Sequence, residues 1–381
     1  MAGKPLLAVD LRAALDAPTG IGVYTRQLLT ALAARGRFEL LALAHRPPSR
    51  DGWLAENGIA FEAQPAPWGV LWQQLRLPRR LGRGDVDLFW SPLQTLPLLG
   101  DVPAVVTVHD LTTLIFPETH RLKVRLTQVP FLGRSLERAR RVVADSQATA
   151  DDIHRFFPEV TSRVRVVHAG VEPRFAPATA QQIAAVRGEL GCPDGYLLFA
   201  GTLEPRKNVG LLLDAWEALR AEEPDTLPLV IAGGYGWKSK ELLARLERRR
   251  GDGIHLLGRV EEGHLLRLLQ GATCFVYPSL YEGFGLPVVE ALACGVPVVA
   301  SQTSSLPEVA GDAALYVDPD DPADLAAVLR RVLGDRTLAA ELARGGPPQA
   351  ARFSWERSAA ELEGVLLEAL ADDAPAARGA A

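Results

Sequence analysis

Two glutamates, Glu282 and Glu290, lie eight residues apart within the stretch EGFGLPVVE. Between them the loop Gly283-Phe284-Gly285 leads to Leu286 and Pro287. Proline suits a first helical position because its missing N–H is not needed there, and the N–H groups at such a helix start attract anions, phosphate above all. Glu290, about one turn into the helix, can accept hydrogen bonds from hydroxyls such as those of a ribose. The stretch predicts an anion site with Glu282 beside whatever the phosphate carries.

Two adjacent cations, Arg206 and Lys207, occur in the second motif, GTLEPRKN. We expect a helix over 209–219 to follow them, with Asn208 as its N-cap. Cations at a helix N-terminus oppose the helix dipole, so an anion should compensate them. A turn with both side chains in water is the alternative, and this motif alone does not exclude it.

His109 and Asp110 follow the apolar run Ala104 to Val108, which predicts a central strand. Ligands of open α/β sheets gather at the carboxyl ends of strands, so both residues are candidates for a site. Gly20 and Gly22 lie in a loop expected before a helix over 23–34, and a lone GxG is weak evidence. Asp85-Val86-Asp87 spells a metal-binding DxD, but it precedes a strand, which favours a solvated strand start.

Short apolar runs alternate with helical patterns along the whole chain, as in two successive doubly wound α/β domains. The expected strands cover 6–9, 40–44, 86–90, 104–108, 142–146, 164–167, 196–200, 229–234, 254–258, 273–277 and 296–300. A proline-rich break at 172–177 divides the chain into domains 1–172 and 173–353. We expect a further helix within 354–371 to pack back toward the first domain, and the tail 372–381 to be disordered.

The composition excludes several classes of protein. The chain has 381 residues, 48% hydrophobic residues and a net charge of -5, which gives no support for a nucleic-acid partner. It has three widely spaced cysteines without a metal-ligand pattern, so we expect no metal or other cofactor. The start MAGKPLLAVD reaches an acid too early for a signal peptide, which predicts a cytoplasmic protein.

The motifs EGFGLPVVE and GTLEPRKN together resemble those of the GT-B retaining glycosyltransferases numbered family four. The resemblance covers nearly the whole chain and implies two Rossmann-like domains that face each other across a cleft. In that family the second Glu of the pair, here Glu290, holds the nucleotide ribose, and the first, Glu282, lies near the donor sugar. The family's Arg and Lys, here Arg206 and Lys207, grip the diphosphate.

The resemblance also assigns roles to weaker motifs. It implies that the loop of Gly20 and Gly22 closes over the donor, that His109 contacts the donor sugar, and that the base lies against backbone near Val260. The catalytic set is then His109, Arg206, Lys207 and Glu282, with Asp110 on the acceptor side. The donor-binding set is Gly20, Gly22, Val260, Gly283, Phe284, Gly285, Leu286 and Glu290.

The expected activity is transfer of a hexose from a nucleotide-sugar to a saccharide or lipid-linked acceptor, without a metal and with retention. Similarity to mannosyltransferases of bacterial polysaccharide assembly makes GDP-mannose the first choice of donor and a UDP-hexose the second. A sugar-nucleotide epimerase and a non-catalytic nucleotide-sugar sensor stay open as alternatives. The basic segment 121–141 could be a solvated helix face or a peripheral contact with the inner face of the membrane.

Overall fold

The computed structural model describes residues 3–16, 19–49, 52–120, 122–179, 181–183 and 191–372, without the side chains of 122–128. Contacts divide the chain into two units, 1–170 together with 354–381, and 171–353. The sequence placed this division two residues later, after Glu172. Of the expected tail only Asp372 is described, and its carboxylate pairs with Arg141 at 2.6 Å.

The first unit is built on a parallel sheet in the order β3-β2-β1-β4-β5-β6-β7. Its strands are β1 Leu6–Asp10, β2 Glu39–Ala44, β3 Ala60–Ala63, β4 Leu88–Ser91, β5 Ala104–Val108, β6 Arg141–Ala144 and β7 Val164–Val166. Its α-helices cover Gly20–Arg35, Gly52–Glu56, Gly69–Leu71, Leu77–Leu81, Thr112–Ile115, Leu122–Arg138, Gln147–Phe156 and Trp355–Ala371. A π-helical turn, Trp72–Arg76, joins two of them, and 3-10 turns cover Arg12–Ala14, Pro117–Thr119 and Pro158–Arg163.

The second unit repeats this architecture with a parallel sheet in the order β10-β9-β8-β11-β12-β13. Its strands are β8 Leu197–Ala200, β9 Leu229–Ala232, β10 Ile254–Gly258, β11 Cys274–Tyr277, β12 Val298–Ser301 and β13 Ala314–Val317. Its α-helices cover Val209–Glu222, Lys240–Arg248, Glu262–Gly271, Leu286–Ala293, Leu306–Ala310, Pro322–Gly334 and Arg336–Ala350. Two 3-10 turns cover Pro205–Lys207 and Gly311–Ala313.

These sheets confirm the predicted α/β class with two Rossmann-like domains. The central strands β5, β8, β9, β11 and β12 are buried along their whole length, as parallel strands covered by helices on both faces must be. In each sheet the strand order reverses once, between β1 and β4 and between β8 and β11. Ligands of such sheets bind at the carboxyl ends of the strands at this reversal.

The helix Trp355–Ala371 belongs to the first unit, although it lies last in the sequence. Ser354 caps it by accepting a hydrogen bond from the Arg357 N–H. Glu363 on this helix pairs with Arg35 at 2.9 Å. The helix therefore packs within the first unit through its buried apolar face and through this ion pair.

Two helix starts differ from the predictions. The first helix begins at Gly20 and not at Val23, because the Thr19 hydroxyl accepts from the Gly22 N–H at 3.2 Å. Asn208 occupies the predicted N-cap position, but its side chain makes no cap; it adopts φ 53° and its amide donates to the Pro319 carbonyl at 2.7 Å.

Candidate functional site

The reversal point of the second sheet brings the two sequence motifs together. The turn Pro205–Lys207 follows β8, and the loop carrying Glu282 follows β11. Lys207 Nζ lies 2.6 Å from Glu282 Oε1, and Arg206 Nη1 lies 3.0 Å from Glu282 Oε2. Residues 75 positions apart in the chain therefore form one ion-paired cluster, which the fold and not the local sequence assembles.

Further hydrogen bonds fix the two cations. Lys207 Nζ donates to the Tyr277 hydroxyl at 2.6 Å, so two of its three N–H bonds have partners within the unit. Arg206 donates to the Tyr281 carbonyl at 2.6 Å and to Glu204 at 2.8 Å. Because these hydrogen bonds hold both side chains in place, the two cations need little reorganisation to meet a bound anion.

The electrostatics of the cluster keep Glu282 ionised. Burial raises the pKa of this carboxyl, but Arg206 and Lys207 more than offset the effect and bring the pKa to about 2. Burial lowers the pKa of Lys207, and Glu282 opposes that change. The sequence predicted an anion to compensate the two cations; the chain itself supplies Glu282 and Glu204.

The loop Gly283-Phe284-Gly285 is shaped by its last residue. Gly285 has φ 100°, and a Cβ there would lie 2.9 Å from Leu306 Cδ2, so glycine is required on both counts. The Ser305 hydroxyl lies 3.0 Å and 2.8 Å from the carbonyl oxygens of Glu282 and Phe284. The loop thus reaches the helix Leu286–Ala293 in a fixed shape.

Phe284 contributes its backbone, and not its side chain, to the loop before the helix. Its ring packs edge-on against Phe353 with ring centroids 5.4 Å apart, and it is buried. The helix starts at Leu286, so Pro287 is its second residue and not the expected first. Only backbone groups of the loop therefore remain as its contribution to anion binding.

Glu290 lies in a second cluster of charges. Arg174 pairs with Glu172 at 2.8 Å and also with Glu262. The pKa of Glu290 rises to about 8 because of burial and of the negative charges of Glu262 and Glu172, which Arg174 offsets in part. At neutral pH Glu290 is therefore mostly a neutral acid, which can donate one hydrogen bond as well as accept others.

Sequence reasoning missed Glu172, Arg174 and Glu262. They come from the start of the second unit and from the helix after β10, and no spacing relates them to Glu290. Val260, expected near the base, precedes that same helix and is half-buried. Glu204 could have been found, since it lies two residues before Arg206 in the same motif.

His109 lies at the carboxyl end of β5, in the first unit, with both ring nitrogens engaged. Nδ1 lies 2.5 Å from Asp145 Oδ2, and Nε2 lies 2.7 Å from the Pro92 carbonyl oxygen. Burial lowers the pKa of His109, but Asp145 and the Pro92 carbonyl outweigh it and the pKa is raised. A carbonyl oxygen only accepts hydrogen bonds, so Nε2 is a protonated nitrogen, and Nδ1 is engaged by Asp145. Neither ring nitrogen is therefore open to act as a base.

Asp110 supports the local turn. Its Oδ1 accepts hydrogen bonds from the N–H of Thr112 at 3.0 Å and from the Thr112 hydroxyl at 2.5 Å. Gln94 also donates to the Asp110 carbonyl at 2.7 Å. Asp110, which we expected on the acceptor side, therefore has a structural role in this turn in addition to any contact with a substrate.

Gly20 and Gly22 lie in the first turn of a helix at the reversal point of the first sheet. A Cβ on Gly22 would lie 2.7 Å from the Ala13 carbonyl oxygen, so the chain passes too closely for any other residue. Beside them the buried Asp10 at the end of β1 pairs with Arg12 at 2.6 Å. The sequence analysis did not identify this pair. A charged residue at the end of a buried strand is the sequence feature that could have identified it.

The DxD pair lies exposed just before β4, as the sequence argument expected, and both carboxylates have structural partners. Asp85 pairs with Arg80 at 2.7 Å, and Asp87 accepts from the Leu6 N–H at 2.7 Å. Within the described ranges no three His, Cys, Asp or Glu side chains converge as metal ligands. Across the same ranges, the helices all fall short of the length and apolarity needed to cross a bilayer.

Comparison with known proteins finds matches over both units. The family model Glycosyltransferase Family 4 matches residues 18–175, and Glycosyl transferases group 1 matches residues 188–347. The O-antigen chain mannosyltransferase B of Escherichia coli is 34% identical over 360 residues, which cover 89% of this chain and 93% of that protein. A D-inositol 3-phosphate glycosyltransferase of Streptomyces bingchenggensis (strain BCW-1) is 35% identical over 245 residues, 61% of this chain and 53% of that protein.

Solved structures show the same fold. Sucrose-phosphate synthase from Thermosynechococcus elongatus superposes with a TM-score of 0.76 at 22% identity, over 97% of this chain and 100% of that one. Anabaena HepE in complex with UDP and glucose gives a TM-score of 0.73 at 19% identity, over 96% and 100%. These neighbours are GT-B glycosyltransferases.

Proposed function

This chain belongs to glycosyltransferase family 4, and we propose that it transfers a hexose from a nucleoside-diphosphate sugar to an acceptor hydroxyl, with retention and without a metal. The observation that carries the proposal is the cluster of Arg206 and Lys207 around Glu282 at the reversal point of the second sheet. The mannosyltransferase relative supports mannose as the sugar and GDP-mannose as the donor. A UDP-hexose is the second choice, since UDP is bound in a structure of the same fold.

The cluster matches the chemical requirement of the reaction. Negative charge grows on the departing diphosphate as the glycosidic bond breaks, and charge-assisted hydrogen bonds stabilise it. Arg206 and Lys207 supply cationic donors for that charge in the place where a divalent ion would act. The N–H groups of the loop that ends at Gly285 add partial positive charge from the helix start.

Retention follows from the lack of a suitable nucleophile or base among the residues assigned to the site. Double displacement needs a carboxylate free to attack the anomeric carbon, whereas Glu282 is tied to both cations. A single inverting step needs a base, and both ring nitrogens of His109 are already engaged, by Asp145 and by the Pro92 carbonyl. We therefore propose same-face substitution, in which the departing phosphate oxygen takes the acceptor's proton.

The acceptor is proposed to be a saccharide or a lipid-linked saccharide, because the Escherichia coli relative that is 34% identical is named an O-antigen chain mannosyltransferase. Transfer would then occur in the cytoplasm or at the inner face of the membrane.

A donor screen tests the proposal. We expect thermal stabilisation by GDP in preference to UDP and ADP, and sugar transfer from GDP-mannose that survives excess chelator. Lys207→Met should abolish transfer, while Arg245→Met, which removes a surface cation paired with Asp214, should not. A β-linked product from an α-linked donor in a proton NMR spectrum, or restoration of chelated enzyme by Mg²⁺ alone, would contradict the mechanism.

A further inference from the structure

Tyr277 is a buried tyrosine whose hydroxyl contacts a residue of the candidate site. It ends β11, and 0% of its surface is exposed. Its hydroxyl accepts a hydrogen bond from Lys207 Nζ at 2.6 Å, and Nζ also lies 5.0 Å from the centroid of its ring. A buried tyrosine needs a hydrogen-bond partner, and a backbone carbonyl serves this need for Tyr196. For Tyr277 the partner is a cation assigned to the diphosphate.

Tyr277 is held more rigidly than Glu282, the other hydrogen-bond partner of Lys207. Its ring stacks on those of Phe199 and Phe275, with ring centroids 5.9 Å and 5.6 Å apart. Both phenylalanines are fully buried on central strands of the second sheet. Glu282 lies instead on the loop that follows β11. Because a side chain on a packed strand keeps its position better than one on a loop, Tyr277 is the more rigid of the two partners.

Two partners together fix the position of the Lys207 ammonium group. The lysine stem has four flexible carbons, and with one partner it could swing about that contact. Tyr277 and Glu282, each 2.6 Å from Nζ, hold the nitrogen at one place. Two of its three N–H bonds are then used, and tetrahedral geometry sets the direction of the third. That N–H has no hydrogen-bond partner among the described residues, and the side chain keeps 11% of its surface exposed, so a ligand can reach it.

The hydroxyl of Tyr277 holds Lys207 without cancelling its charge. Burial and the negative charge of Glu282 raise the pKa of Tyr277 well above its ordinary value, so the hydroxyl stays neutral. A second carboxylate at this place would leave the ammonium between two negative partners. A neutral acceptor fixes the cation and leaves its positive charge available to an anion.

We propose that Tyr277 is a positioning residue of the transfer reaction, which directs the third N–H of Lys207 at an oxygen of the departing diphosphate. The inference rests on the proposed function, because that function assigns Lys207 to the diphosphate. It extends that function by giving the hydroxyl of a core residue a part in the rate of bond breaking. Tyr277 acts through Lys207 and not by contact with the substrate.

Tyr277→Phe removes the hydroxyl and keeps the stacked ring. We expect kcat for transfer from GDP-mannose to methyl α-mannoside, measured as release of GDP, to fall by about tenfold or more. The reason is that a donor aimed at developing charge loses its fixed direction. The KM for GDP-mannose should stay within about twofold of wild type, since this interaction strengthens in the transition state. An unchanged kcat would overturn the proposal.

Tyr196→Phe is the matched control. Tyr196 is also fully buried in the second unit, where its hydroxyl donates to the Leu268 carbonyl at 2.8 Å. Each substitution removes one buried hydrogen bond, so both should lower the midpoint of urea unfolding by similar small amounts. Only Tyr277→Phe should lower kcat. Equal kcat values for the two variants would show that the Tyr277 hydroxyl has a structural role alone, and would contradict the proposal.

The pH dependence of GDP binding tests the same contact without an acceptor. Lys207 faces Glu282 on the loop after β11, Tyr277 at the end of that strand, and Arg206 and Glu204 in its own turn. Burial lowers the pKa of Lys207, and loss of an acceptor for its N–H lowers it further. Calorimetry between about pH 7 and pH 10 should therefore find that the affinity of Tyr277→Phe falls at a pH about one unit below that of wild type. A fall at the same pH in both proteins would overturn the proposal.

The proposed function and this inference can fail separately. If the wild-type chain transfers no sugar and binds no nucleoside diphosphate, the proposed function fails and the inference fails with it. If wild type is active and Tyr277→Phe equals it in kcat and in the pH dependence of GDP binding, the inference alone fails.

Discussion

Replacing Glu290 with glutamine should stabilise the ligand-free protein at neutral pH. The pKa of this carboxyl rises from 4.5 to about 8 through burial and the charges of Glu262 and Glu172. A raised pKa means that the folded protein holds a proton which the unfolded chain releases above pH 4.5. The stability contributed by the protonated form is thus complete below that pH and is lost as pH rises toward 8.

The size of the effect follows from linkage. In this window the free energy of unfolding falls by about 1.4 kcal/mol per pH unit for one proton. From pH 4.5 to pH 7 the loss amounts to about 3 kcal/mol. Glutamine is neutral at every pH and nearly the same shape, so Glu290→Gln lacks this slope. We expect the variant to equal wild type near pH 4.5 and to exceed it by up to about 3 kcal/mol at pH 7.

Urea unfolding of both proteins across this pH range measures the difference. Only the transition of the second unit should shift, and the buried Trp216 reports on that unit. Subtracting the two curves removes the contributions of all other titrating groups, including His109. Parallel curves, or a variant less stable than wild type at pH 7, would refute the reasoning and indicate that Glu290 is ionised in the folded protein.

Three further substitutions test other parts of the structure. Gly285→Ala should destabilise the second unit by about 1 to 3 kcal/mol, because of the positive φ of Gly285 and its contact with Leu306. Gly210→Ala, at a helical site with open space, should not destabilise the unit. Equal effects of the two substitutions in urea unfolding would contradict this prediction. His109→Asn should cost about 3 kcal/mol or more below pH 6.5, because Asp145 is left buried without its cation, and the cost should shrink as pH rises through the raised pKa of His109. Arg174→Gln should raise the pKa of Glu290 further, so that the loss of stability continues above pH 8; an unchanged pH profile would show that Arg174 does not act on Glu290.

The sequence predicted the elements that depend on local pattern. Strand β5 and strand β10 have the predicted bounds, because each is a short, mostly apolar run between turn residues. The motif loops after β8 and β11 were also placed correctly at the carboxyl ends of strands. Helix starts were predicted less well, since Thr19 caps a helix earlier than the apolar pattern begins.

Contacts between distant segments could not be predicted. Nothing in the sequence links Arg174 to Glu262, or His109 to Asp145, because each pair is formed by the packing of separate βα units. The consequence was largest for His109. A histidine at a strand end is a candidate base, but the carboxylate that engages its Nδ1 and raises its pKa lies 36 residues further along the chain.

The same limit applies to Glu282, whose position changes how its role should be understood. The family resemblance placed it near the donor sugar, where a carboxylate could bind sugar hydroxyls. In the structure its two oxygens are occupied by Lys207 and Arg206, while Glu204 holds the far side of the guanidinium. The four side chains carry two positive and two negative charges, so long-range attraction would contribute little to binding a diphosphate in the proposed reaction. The two cations would act there through N–H groups held in fixed directions, because a preorganised donor gains strength when charge develops beside it. Glu282 therefore contributes to the proposed reaction by positioning the two cations.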